Sequence, residues 1–453
     1  MTAVLTGTGT GAATGTGAAN GAAAHTSPEL PPLAIGFLGE ADSGKHTYAG
    51  THRVRTLERT VELAWGVRDL AGISRVADVT GLDSVGIPVF NTLRPRAQDG
   101  NLTVTCGKGA DRQAALASAL MEAVERYCGE QYGRRGPVGL LREMAGRGKV
   151  LHPRALILDR ASPWTEDAAL EWWPFHDLVS GEEILLPAES AFWPYEPPAA
   201  DHPWLFRSAD GLASGNSRAE ATMHALYELI ERDATAFGEV LKQGHRVPLD
   251  TLPADYDELV GRFHDNGIAV RVFSFASDIG VPVFYVTVDD RQSDDPLLIN
   301  GGAGCHLSPR VALYRALTEA AQSRLSVISG GREDIAKHVA RRESGYRQAR
   351  ERMDAWADGW PVRAFDDHAD LSTGSLAGDL RSLLGHLRQA GLAAAYVTDL
   401  TLPGIPFSVV RAVVPGLEFF NQEPGRLGPR LAGAMRTRQE ARCQGAAATA
   451  VRK

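Results

Sequence analysis

Apolar and polar positions alternate at helical spacing in one stretch that recurs. Ser118-Ala-Leu-Met-Glu122-Ala-Val-Glu125-Arg126 returns as His224-Ala-Leu-Tyr-Glu228-Leu-Ile-Glu231-Arg232, identical at five of nine positions. Residues three apart on a helix point the same way, so each copy predicts an amphipathic helix with two carboxylates on its polar side and apolar residues opposite. A degenerate third copy, Ala316-Leu-Thr-Glu319-Ala-Ala-Gln322-Ser-Arg324, follows. Each copy comes after a Gly-rich stretch (Gly107-Lys-Gly109, Gly211 to Gly215, Gly301 to Gly304), read as a turn that opens the helix, with Asp111 and Ser217 as N-caps. Glu122 to Glu228 is 106 residues and Glu228 to Glu319 is 91. Spacings that long predict divergent units of one core, not a solenoid.

Elsewhere, period-two alternation predicts strands over 73–95 (strand, turn, strand), 102–106, 269–274, 281–288, 296–300, 393–398 and 406–413. Ser180-Gly-Glu-Glu183 reads as a hairpin turn. Helices are expected over 56–70, near 256–266 and over 376–390. The fold class is α+β, with mixed sheets and three Gly-opened helices around a central site. Residues 1–31 hold Gly, Thr and Ala with few large apolar side chains and read as a disordered leader. The body is expected over 45–420, and 421–453 as a polar tail.

Composition narrows the function. Of 453 residues, 44% are hydrophobic and 23% charged, ordinary for a globular chain. A net charge of −8 argues against nucleic-acid binding through a positive field. Four cysteines without a C-x-x-C pair argue against structural zinc and disulfides. No apolar run has transmembrane length and no secretory signal is present, so no membrane association and a cytoplasmic location are expected.

Four carboxylates brought to one place need compensation. Mg²⁺, which takes oxygen ligands and brings phosphate with it, is the usual one. Arg126, Arg232 and Arg324 offer charge to phosphate oxygens. Backbone N–H groups at the three junctions add donors. A separate G-x-x-x-x-G-K stretch, Gly39 to Lys45, has the start of a P-loop, but His46 stands where Ser or Thr is needed and no helix start follows. It reads as coincidence in a Gly-rich connector, with a P-loop NTPase as one alternative class. A solvated Glu-x-x-Glu-Arg face is the bland reading of one copy; the second copy outweighs it.

Residues 107–127, 213–234 and 302–324 together resemble the three signature segments of the YcaO superfamily, in order, within a match spanning about 45–420. The resemblance implies a YcaO-type composite fold, ATP and Mg²⁺ as cofactors, and activation of a peptide-backbone amide oxygen that a nucleophile then replaces. It implies metal ligation by Glu122, Glu125, Glu228 and Glu231, with Glu125, Glu231 and Arg232 central to catalysis. It implies nucleotide contacts from Ser118, Arg126, Asn216, Arg232, Glu319, Gln322 and Arg324, and from Arg53 and Thr60 near the N-terminus, with Lys45 the competitor. Gly72 to Val89, Gly50 to Arg53 and Val414 to Glu418 resemble members that work with a TfuA-type partner and install thioamides. The last proline, Pro429, stands well before Lys453, unlike the proline-rich end of many azoline-forming members. The expected function is ATP-dependent thioamidation of a ribosomally made precursor peptide, with a TfuA-like sulfur-delivery partner and a homodimeric assembly. The alternatives are a stand-alone cyclodehydratase forming azoline or amidine rings and a non-catalytic ATP-binding accessory.

Overall fold

Three antiparallel sheets each end in an edge strand that feeds a long helix. The computed structural model describes residues 35–39, 44–48, 51–156, 162–200, 202, 208–338, 345–419 and 427–450. The expected leader, 1–31, lies outside them. A short helix α1 (Ile35–Leu38) precedes the strands β1 (His46–Tyr48) and β2 (Thr51–Arg53), which pair antiparallel. Helix α2 (Leu57–Gly66) starts at Thr56, whose side chain accepts from the Arg59 N–H. It is shorter than the 56–70 expected.

The first sheet orders β3 (Arg75–Asp78), β4 (Val89–Leu93) and β5 (Val104–Lys108), and β5 runs into α3 (Arg112–Gly129). The second sheet begins with β6 (Val138–Gly139), followed by helix α4 (Leu141–Ala145), then β7 (Leu170–Asp177) and β8 (Glu183–Pro187), joined across the expected Ser180–Glu183 turn. Its edge strand β9 (Leu212–Gly215) feeds α5 (Arg218–Leu241). The third sheet is a meander of β10 (Gly244–Val247), β11 (Ile268–Phe275), β12 (Val283–Asp290) and β13 (Ile299–Cys305), with α6 (Asp257–His264) between its first two strands. Its edge strand β13 leads into α7 (Pro309–Ser329). Helices α8 (Tyr346–Ala357) and α9 (Leu376–Gln389) follow, and β14 (Tyr396–Asp399) and β15 (Ser408–Val413) return to sit inside the second sheet, between β7 and β9.

Among the glycines of these stretches, Gly211 sits in a turn with a φ of 86°, but most of the others lie in strands. Gly107 lies in β5, Gly215 ends β9, and Gly301, Gly302 and Gly304 lie in β13. Their role is close approach. A Cβ on Gly107 would stand 1.9 Å from the Ala119 nitrogen of α3, and one on Gly304 would stand 2.1 Å from the Ala312 oxygen of α7. Each helix therefore lies back directly on the strand that feeds it. The caps follow the expected pattern at Asp111, which accepts from the Ala114 N–H, and at Ser217, which accepts from the Glu220 N–H.

The expected polar tail is more than a tail. Helix α10 (Pro429–Ala450) buries Leu431 against Ala236, Phe237 and Leu241 of α5. Arg430 pairs with the buried Asp233 of α5, and the Glu418 carboxylate accepts from the Gly428 and Leu431 N–H groups at 2.8 Å each.

Candidate active site

The polar faces of α3, α5 and α7 enclose a cavity of about 610 Å³. Its wall carries Glu122, Glu125, Ser118 and Arg126 from the first unit, Asn216, Glu228, Glu231 and Arg232 from the second, and Glu319 and Gln322 from the third. Arg53 of β2 and Thr60 of α2 complete it.

The carboxylates are held across units. Glu125 on α3 accepts from the Ser214 N–H of β9 at 2.9 Å. Glu231 on α5 accepts from the Cys305 N–H of β13 at 3.1 Å. Glu319 on α7 pairs with Lys108 of β5 and accepts from the Ala303 N–H at 3.3 Å. Glu228 accepts from the Gly211 N–H at 3.0 Å. Unit one is thus held by unit two, two by three, and three by one. The arginines of the repeat lie against their own glutamates: Arg126 is 3.9 Å from Glu122, and Arg232 is 3.7 Å from Glu228, 3.5 Å from Glu231 and 3.3 Å from Asp210.

The electrostatics are those of crowded acids. Burial, with Glu228 and Glu122 adding to it against Arg126, pushes the Glu125 carboxyl up to about 8. Burial raises Glu228 and Glu231 too, against Arg232. Glu319 moves the other way: burial would raise it, but Lys108 and Arg232 hold it down to about 2. The donor set is hard oxygen, the chemistry Mg²⁺ takes. Among the described residues no three His, Cys, Asp or Glu side chains already converge on one ion position. Each glutamate is drawn to an N–H, a lysine or an arginine instead, contacts that a cation would exchange for its own.

Two sequence expectations meet a different placement. Arg324 does not line the cavity. It is buried between Asp83 and Asp290, 2.8 Å from each, because its side chain leaves α7 on the face opposite Glu319. It ties the Thr80–Pro88 segment to α7. Lys45, the competitor of Arg53, pairs with Asp379 at 2.6 Å, and β1, not a helix, follows it. That is no P-loop.

Four wall residues escaped the sequence reading. Lys108 belongs to the G-K-G stretch read as a turn, but it ends β5 and pairs with Glu319. Glu220 sits three residues after Ser217, where S-x-x-E reads as a capping box. Its carboxylate accepts instead from Asn216 N and Nδ2 at 3.0 Å and from Val54 N at 2.9 Å, with Arg53 3.7 Å away. Thr60 Oγ1 donates to Asn216 Oδ1 at 3.0 Å, so the N-terminal segment is fastened to the second unit. Arg315, 3.3 Å from His224 Nε2, and Arg332 add positive charge.

A family model described as YcaO cyclodehydratase, ATP- and Mg²⁺-binding, matches residues 106–418. An uncharacterized protein of Methanothermobacter thermautotrophicus is 40% identical over 80% of this chain and 94% of its own length. An uncharacterized protein in the tfuA 3′ region of Rhizobium leguminosarum bv. trifolii is 31% identical over 77% of this chain and 84% of its own. In fold, the chain is similar to YcaO from Methanopyrus kandleri bound with AMPPCP and Mg²⁺, with a TM-score of 0.70 and 24% identity over 85% of this chain and 98% of that one. It is also similar to a heterocyclase in complex with substrate and cofactor, with a TM-score of 0.72 and 21% identity over 86% of this chain and 56% of that one. The fold and the family match agree: the chain belongs to the YcaO family, whose model is described as an ATP- and Mg²⁺-binding cyclodehydratase.

Proposed function

We propose that this chain uses ATP and Mg²⁺ to activate a backbone amide of a ribosomally made precursor peptide, and that sulfur then replaces the amide oxygen to leave a thioamide. The observation that carries the activation step is the cavity itself, walled by carboxylates and cations from three units. Amide resonance makes that oxygen a very poor leaving group; bound ATP supplies the phosphoryl group that makes it a good one. Glu122, Glu125, Glu228 and Glu231 would hold Mg²⁺. Arg126, Arg232, Lys108 and Arg315 balance phosphate charge. Arg53, Thr60, Ser118, Asn216, Glu319 and Gln322 form the rest of the nucleotide wall. Arg324 acts on this wall only through the packing of α7.

The sulfur step is supported by the relative from the tfuA 3′ region and by the Gly72 to Val89 segment. A TfuA-like partner as the sulfur carrier goes with it. Cys106 and Cys305 are buried, and burial with Glu122 pushes the Cys106 thiol up to about 11. Burial, with Glu231, raises the Cys305 thiol as well, and thiols raised in this way are poor sulfur carriers, which favours sulfur from outside the chain. The family model's own description favours a second reading, cyclodehydration. A cytoplasmic homodimer is the proposed working form; among the described residues no helix is long and apolar enough to cross a membrane.

The test is mass spectrometry of peptides from cells with and without this chain. A peptide that exchanges one oxygen for sulfur is expected. A peptide that loses one water overturns thioamidation in favour of ring formation. ATP binding without turnover, with no altered peptide, leaves an accessory role.

A further inference from the structure

Strand β2 divides two cavities. Thr51 and Arg53 face the nucleotide cavity, and His52, pointing the other way as strand alternation requires, lines a second cavity of about 520 Å³. Tyr314 lines both cavities. The second wall also holds Ser308 and Asp370, joined by a 2.9 Å hydrogen bond. His52 stands edge-on to His306 with ring centres 4.8 Å apart. His306 is itself fixed, its Nδ1 accepting from the Ser308 N–H at 2.9 Å. Among the described residues, His52 Nδ1 and Tyr314 Oη are buried and have no hydrogen-bond partner. Buried polar groups are normally satisfied, so orphans on a cavity wall offer places for a ligand's polar atoms.

Resting on the proposed function, we infer that the second cavity admits the attacking nucleophile, a hydrosulfide, and that His52 is the catalytic base that takes its proton. When hydrosulfide adds to the activated amide carbon, its S–H proton must leave for the C=S bond to form. His52 accepts it and passes it to water. One C–S bond forms, one C–O bond breaks, and the oxygen leaves on phosphate. Sulfur enters and stays at the sulfide level, so no oxidant or reductant takes part; a persulfide donor would need two electrons that this site does not hold. Burial, then Lys45, lowers the His52 pKa from its ordinary value, and Arg53 acts the same way against Asp379 and Asp370. The lowering favours the neutral ring, the form that accepts a proton.

The experiment compares the full chain with His52→Gln, using the peptide found by mass spectrometry, ATP, Mg²⁺ and sodium hydrosulfide. Thioamide formation is expected to fall at least ~10²-fold, nucleotide affinity by calorimetry to hold, and free imidazole to restore part of the rate. Thioamide formation at the wild-type rate, or a loss that imidazole does not restore at any concentration, overturns the assignment of His52 alone. A wild-type product short of one water overturns the functional reading and this assignment together.

Discussion

Glu125 and Glu231 each face other carboxylates in the cavity. Glu125→Gln and Glu231→Gln are expected to abolish peptide-dependent ATP turnover, since each removes a charge that would hold Mg²⁺. Normal turnover in both variants would remove the metal-site reading. Stability should respond in the opposite direction. A raised acid pKa means that the folded chain binds the proton more tightly than the unfolded chain does. The contribution is full below the usual carboxylate range and is lost as pH rises toward the value of about 8 at Glu125. In the absence of Mg²⁺ and nucleotide, wild type should therefore lose melting temperature relative to Glu125→Gln between about pH 5 and about pH 8. A difference that does not change with pH would show that the carboxylates are not crowded. Arg324→Ala tests a different charge. It strands Asp83 and Asp290, both buried, and should cost about 3–5 kcal/mol. Nucleotide affinity of the folded fraction should be retained; its specific loss would return Arg324 to the nucleotide wall.

At the scale of elements, the strand–helix unit depends on bare backbone. Gly107→Ala puts a methyl 1.9 Å from the Ala119 nitrogen and is expected to cost about 3 kcal/mol or more, read as a large fall in melting temperature. Gly81→Ala, with nothing within 4 Å of its Cβ, should be silent. Equal effects would mean that α3 does not rest on β5 as described. This unit also marks what was legible beforehand. Glutamates three apart on an apolar-backed helix can point only one way, so their convergence could be read from spacing. Glycines before a helix are ambiguous between a turn and a flat strand, because only the partner helix decides, and that partner lies further along the chain. Lys108 and Glu220 were hidden for the same reason. The G-K-G stretch and the S-x-x-E spacing each have a local explanation, and only tertiary contacts bring these two side chains to the cavity wall. Strand β10 went unread because its pairing with β11 sets it, not its four residues.

For the whole molecule, the end of the chain braces the site. Arg430 of α10 neutralises Asp233, which follows Arg232 directly on α5 and which burial pushes up to about 6. Arg430→Ala should leave that acid uncompensated and lower stability by about 3 kcal/mol, measured by denaturant titration. An unchanged midpoint would mean that α10 is dispensable. The closed circuit of carboxylates, in which each unit's glutamate is held by another unit, has a consequence for synthesis. Glu125 needs Ser214, Glu231 needs Cys305, and Glu319 needs Lys108. A nascent chain emerging from the ribosome carries its first two walls long before the third exists. Glu231 then lacks the Cys305 N–H, and the enclosure lacks the wall that α7 supplies. A chain ending at Leu241 should bind no nucleotide, so unfinished copies draw nothing from the cellular ATP pool.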